Sequence, residues 1–167
     1  NGDPTARMLR DFAAGKEDGP IVKGRPGLLG NSKVAFVFSG QGPQWYAMGR
    51  ELMKRSPSYK ETIHEVNEHL ARLGWQKEAK TDLLEELAKS KEDSRINETE
   101  IVQPALFALQ VGLARMWMEM GVEPDMVVGH SIGEVAAAYI GGALTLEEAT
   151  KVVFWRSLCQ AKASGRG

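Results

Sequence analysis

Hydrophobic and polar positions follow two rhythms along this chain. Val34-Ala35-Phe36-Val37-Phe38 is a short apolar run bounded by turn formers, the pattern of a strand buried in a parallel sheet. Asp125–Val128 is a second short strand. Elsewhere the period is helical. Tyr59, Ile63, Val66, Leu70 and Leu73 recur at spacings of four and three, after Ser56-Pro57 and before Gly74. That is one apolar face with an N-cap, a first-turn proline and a glycine stop. Met8, Leu9 and Phe12 share one side of a short helix within residues 1–14, and another short helix is expected around Leu83–Leu87. Pro104 is expected to open a strong helix that runs to about Met120, with Gly121 past its end. Glu134–Ile140 is helical, Gly141-Gly142 breaks it, and Thr145-x-x-Glu148 is a capping box for a last helix to about Ala163. Strands alternating with helices predict an α/β fold, a parallel sheet flanked by helices. Gly and Pro crowd residues 15–30 and read as a linker, so residues 1–30 and 31–167 divide the chain. Gly165-Arg166-Gly167 reads as a flexible end.

Composition adds mainly exclusions. A chain of 167 residues with 43% hydrophobic and 26% charged residues can build one ordinary core. A net charge of −1 offers no bulk attraction for nucleic acid or an anionic membrane. No apolar run reads as a membrane span and no signal peptide opens the chain. Cys159 is the only cysteine, which excludes an internal disulfide and suits a reducing, cytoplasmic setting.

The chemistry concentrates at Gly129-His130-Ser131-Ile132-Gly133, between a strand and a helix. Gly-x-Ser-x-Gly in that context is the nucleophile-elbow pattern. A sharp turn exposes the hydroxyl, small flanking residues let it close, and the following helix aims free N–H groups at a developing oxyanion. The same residues also read as a plain helix start, because Ser131-x-x-Glu134 is a capping box. A serine nucleophile needs a base. His130 is a poor one, since adjacent side chains on a tight turn diverge; packing or hydrogen bonding under the turn is its expected role. His64 and His69 lie on the 57–73 helix, five residues apart, and read as surface histidines. No cluster has zinc-ligand spacing, and no phosphate-binding glycine fingerprint is present.

Four separated segments occur in register: Phe38-Ser39-Gly40-Gln41-Gly42-Pro43-Gln44-Trp45, Val102-Gln103-Pro104-Ala105-Leu106, Gly129–Glu134 and the stretch around Arg156. Together they resemble the acyl-CoA:acyl-carrier-protein transacylases over residues 33–167. The likeness is greatest to the acyltransferase domains of polyketide synthases, with animal-type fatty acid synthase as a near relative. The resemblance implies a large α/β-hydrolase-like subdomain. The family's catalytic histidine and ferredoxin-like subdomain are expected beyond Gly167. Residues 1–30 would be the tail of a ketosynthase-to-acyltransferase linker.

For individual residues, the resemblance implies that Ser131 is the acylated nucleophile and that the Gln41 and Ile132 N–H groups form the oxyanion hole. Gln103 would line the acyl pocket, with His130 beside it. Arg156 would hold the carboxylate of a malonyl-type acyl group. Taken alone, Gln41 reads as a polar turn residue, Gln103 as a helix N-cap and Arg156 as a surface arginine. Ile132 is of the malonyl-associated type. The implied reaction is a ping-pong transfer from malonyl-CoA to the phosphopantetheine thiol of an acyl carrier protein, needing no metal and no bound redox cofactor. The implied neighbours are a ketosynthase domain and the remainder of the acyltransferase. The rival readings are a serine hydrolase or thioesterase, and a non-catalytic docking module.

Overall fold

The computed structural model describes residues 4–16 and 33–163. They fall in two compact units, divided between Ser32 and Lys33. In the first, helix α1 spans Pro4–Ala13, with Met8 and Leu9 exposed. Most of the expected linker over 15–30 and the expected flexible end at 165–167 lie outside the described residues.

The second unit runs β1 (Ala35–Phe38), α2 (Arg50–Arg55), α3 (Pro57–Arg72), α4 (Trp75–Ala79), α5 (Leu83–Ala88), α6 (Thr99–Glu119), β2 (Met126–Gly129), α7 (Gly133–Ile140) and α8 (Leu146–Ala163). The two strands are parallel, in register from Ala35 against Met126 to Phe38 against Gly129. Asp125 fixes that register: its carboxylate accepts the Val34 N–H at 2.8 Å and its own N–H donates to the Val34 carbonyl at 2.8 Å. Helix α7 packs on both strands, and α6 runs through the middle of the helical layer against α3, α7 and α8. The core is where these helices meet: Ile63, Val66 and Leu70 of α3, Ile101, Val102, Phe107 and Val111 of α6, Ala136 of α7 and Val153 of α8.

The local signals of α3 and α8 act as their chemistry requires. Ser56 Oγ accepts the Tyr59 N–H at 3.2 Å, with Pro57 at the first position of α3. Thr145 and Glu148 cap α8 reciprocally, with bonds of 2.8 and 3.2 Å. The Thr145 N–H and hydroxyl together hold the Glu148 carboxyl below its ordinary value.

Three expectations need correction. Pro104 does not open α6. The helix starts at Thr99 and Pro104 lies inside it. An interior proline leaves the carbonyl four residues back without its donor, and here the Trp75 indole N–H donates to that Glu100 carbonyl at 3.1 Å. Gln103 is therefore an interior helical residue and not an N-cap. Second, by length and composition α6 would serve as a membrane span, with a mean hydropathy of 1.2 over its most apolar 18 residues; yet 67% of that stretch is buried inside the protein, as in the core helix of a folded domain. Third, the sheet does not bury its apolar strands. Among the described residues it has two strands, and Val37 (75%), Val128 (53%) and Met126 (49%) are exposed on its outer side.

Candidate active site

Parallel strands bring their C-terminal ends side by side, which is where open α/β sheets place their ligands. The loops after β1 and β2 meet at that end. The His130 N–H donates to the Phe38 carbonyl at 3.0 Å. A Cβ placed on Gly40 would stand 3.0 Å from Ser131 Cβ and 2.7 Å from His130 Nδ1, so the Gly40-Gln41-Gly42 loop lies directly against the serine turn.

Ser131 has φ 56, in the left-handed region, which costs an L-residue about 1–2 kcal/mol. The following turn holds it there. Gly133 N–H donates to the His130 carbonyl at 2.9 Å, and Glu134 N–H to the Ser131 carbonyl at 3.1 Å. Ile132 beneath is fully buried. Ser131 does not cap α7, whose N-cap is Ile132 with no side-chain cap bond. The capping-box reading of Ser131 and Glu134 therefore fails. The hydroxyl faces α8 instead, where Arg156 Nη2 donates to Ser131 Oγ at 2.9 Å.

Gly133 makes this geometry possible. A Cβ there would stand 2.6 Å from the Phe38 carbonyl carbon and 2.7 Å from the Ser39 carbonyl oxygen. Those are rigid backbone atoms at the end of β1, so the clash has no cheap relief. We expect Gly133→Ala to lower the unfolding free energy by about 3 kcal/mol, the upper part of the range for overpacking. A denaturant midpoint within error of the parent protein would refute this.

Four polar residues from three segments converge on the serine. Arg156 Nη1 donates to Gln103 Oε1 at 2.6 Å, and Gln103 Nε2 donates to Gln160 Oε1 at 2.6 Å and to Gln41 Oε1 at 3.5 Å. Gln103 is 1% exposed. Arg55, Arg72, Arg95 and Arg115 each pair with a carboxylate. Arg156 has no carboxylate partner among the described residues. Its hydrogen-bond partners there are one hydroxyl and two amides, all neutral.

The backbone donors are also open. Among the described residues, neither the Gln41 nor the Ile132 N–H finds an acceptor. The next N–H in the first loop, that of Gly42, is tied to Gln44 Oε1 at 2.7 Å, which shapes the loop and leaves Gln41 free. A hydroxyl on a strained turn, two unoccupied backbone donors and an unneutralised guanidinium form a set suited to acyl chemistry on an anionic substrate.

Of the residues singled out from sequence, Ser131, Gln103, Gln41 and Arg156 are joined by hydrogen bonds, and Ile132 follows the serine directly. His130 differs from expectation. It is exposed, beside Gly40, and its ring makes no hydrogen bond among the described residues. The turn's own backbone closure leaves no room for it underneath. His64 is exposed and His69 half-buried on α3. Gln110 and Gln160 were missed. Gln110 Nε2 donates to the Ser39 carbonyl at 2.7 Å and anchors the first loop. Gln110 lies seven residues after Gln103, on the same face of α6; two amides on an otherwise apolar helix face were the signal.

Residues 35–167 match the acyl transferase domain family. The chain belongs to that family. This acyltransferase domain is 41% identical over 160 residues to polyketide synthase GfsE of Streptomyces halstedii, covering 95% of the chain and 4% of that protein. It is 45% identical over 162 residues to the highly reducing polyketide synthase ltbA of Aspergillus luteorubrus, covering 96% and 5%. The chain thus spans a small part of those synthases. Among solved structures, it is 38% identical to a loading acyltransferase of the avermectin modular polyketide synthase, with a TM-score of 0.69, over 79% of this chain and 40% of that one. It is 30% identical to the malonyl-CoA:ACP transacylase of Synechocystis sp. PCC 6803, at TM-score 0.68, over 80% and 42%. A malonyl-transacylase solved in complex with its type II polyketide synthase acyl-carrier protein is 31% identical, at TM-score 0.67, over 79% and 40%.

Proposed function

We propose that this domain moves a malonyl-type acyl group from coenzyme A to an acyl carrier protein through an ester on Ser131. The observation that carries the reading is the 2.9 Å bond between the Ser131 hydroxyl and Arg156, a cation with neutral partners only. A plain hydrolase has no call for such a cation beside its nucleophile, whereas a malonyl group brings the missing carboxylate.

The chemistry runs in two halves. Ser131 Oγ attacks the thioester carbonyl while its proton passes to a base. The Gln41 and Ile132 N–H groups stabilise the oxyanion. The C–S bond breaks, and coenzyme A leaves as the thiol, taking the proton. The phosphopantetheine thiol of the carrier then attacks the acyl-serine by the same route in reverse. We take the base to be a histidine from a part of the domain outside residues 1–167, since His64, His69 and His130 are unsuitably placed. The relatives support the carrier partner: one of them is solved with its acyl-carrier protein. A cytoplasmic setting and an adjoining ketosynthase belong to the same proposal.

Extender choice tests the reading. In the resembled family the residue after the serine tracks the extender, and Ile132 is of the malonyl-associated type, so malonyl is expected over a methyl-branched homologue. With the full-length protein, labelled malonyl-CoA and methylmalonyl-CoA in competition, malonyl should reach the carrier about tenfold faster, the discrimination one methyl supplies. Release of free malonate as the main product would establish a hydrolase instead, and a methylmalonyl preference would overturn the extender assignment.

A further inference from the structure

We propose that Gln160 is a positioning residue that aims the Arg156 guanidinium and so sets the preference for acyl groups bearing a carboxylate. The inference rests on the acyl-transfer reading above. It starts from the chemistry of a buried amide. Gln103 is sealed inside the protein, so both ends of its amide need partners. An amide can face a guanidinium only through its oxygen, because its nitrogen would set donor against donor. Gln103 meets this: Oε1 accepts from Arg156 Nη1 at 2.6 Å.

What holds the amide that way round is an acceptor for Nε2. Two are present. Gln41 Oε1 lies at 3.5 Å, the limit of a useful bond. Gln160 Oε1 lies at 2.6 Å. The same Gln160 oxygen also receives Arg156 Nη1 at 3.3 Å. Gln160 is one turn beyond Arg156 on α8, on the same face, so it reaches both groups from a single helix.

The consequence is an ordered relay. Gln160 fixes the orientation of Gln103. Gln103 and Gln160 together hold Nη1, which leaves Nη2 to face Ser131 at 2.9 Å. Without the Gln160 oxygen, the Gln103 amide can turn over and present Nε2 to Nη1. The guanidinium then loses its fixed fork, and the carboxylate of the acyl group loses a preorganised partner. An exposed glutamine has no packing duty in the core that would account for this placement.

The test uses the full-length protein with malonyl-CoA and acetyl-CoA as donors. Gln160→Met keeps the length of the side chain and removes the acceptor. The expected result is a fall of about tenfold in the malonyl-to-acetyl ratio of kcat/KM, the weight of one hydrogen bond to a charged group, carried by the malonyl KM. In an Arg156→Ala background the same substitution should change the ratio no further, since residues in one relay do not act additively. If Arg156→Ala shifts the ratio and Gln160→Met does not, the positioning role is wrong while the function reading stands. If Arg156→Ala also leaves the ratio unmoved, both are wrong. Equal losses for the two donors from Gln160→Met would mark Gln160 as structural and overturn the inference.

Discussion

Ser131→Ala should abolish acyl transfer by the full-length protein, with a fall on the order of 10⁶-fold, the loss met when a base-assisted nucleophile is deleted. The parent protein treated with malonyl-CoA should gain the mass of one malonyl group in the acyltransferase peptide, and the variant should gain none. The fold should not change. Alanine keeps the Cβ and the left-handed backbone of Ser131, so the strain of the turn remains. Ser131→Gly separates the two effects. Glycine adopts φ 56 freely, so this variant should be as inactive as Ser131→Ala and more stable by about 1 kcal/mol. Acylation of Ser131→Ala at the parental rate would exclude the serine as nucleophile. No gain in stability for Ser131→Gly would show that the turn is not strained.

Much of this site was legible before any coordinates, for physical reasons. A strand, a Gly-x-Ser-x-Gly turn and a helix can be ordered in space from sequence alone, because both glycines answer to contacts made within that short segment or just across the sheet. A Cβ on Gly129 would stand 2.5 Å from the Gly133 carbonyl oxygen and from the Glu134 nitrogen. Long periodic helices were equally plain, as α3 and α8 show. Helices α2 and α4 were not: they have six and five residues, too few for a 3.6-residue period to repeat, although the equally short α5 was expected around Leu83–Leu87.

The start of α6 was misread because Pro104 suits a first helical turn, and only a tertiary partner, the Trp75 indole, lets it sit inside. The same error hid the burial of Gln103. Gln160 carried no local signal at all. Its role depends on the orientation of an amide contributed by a residue 57 positions earlier, and no helical pattern encodes that. The continuous apolar run Val34–Phe38 reads as a buried strand, yet Val37 is 75% exposed among the described residues; a run of hydrophobic residues does not specify which neighbour covers it.

Arg156→Ala should separate acyl groups by charge. Arg156 donates to the serine hydroxyl in this structure and has no carboxylate partner among the described residues. A malonyl carboxylate entering the site would draw the guanidinium from Ser131 Oγ. It would exchange a neutral acceptor for an anionic one, a stronger bond by about twofold. The same movement frees an Oγ lone pair for attack. Without Arg156 the carboxylate is desolvated with no partner, at a cost of about 3 kcal/mol, roughly 10²-fold in kcat/KM for malonyl-CoA. Acetyl-CoA brings no carboxylate and leaves the guanidinium on the serine, so its transfer should hold or rise when Arg156 is removed. Arg156→Lys should fall between, since an ammonium keeps the charge but not the fork that spans Gln103 and Ser131 together. The measurement is kcat/KM for malonyl-CoA and acetyl-CoA, side by side, in the full-length protein. Equal losses for both donors would make Arg156 a structural residue of α8. No loss for either would leave the bond to Ser131 without a catalytic role and remove the observation on which the choice of a malonyl-type substrate rests.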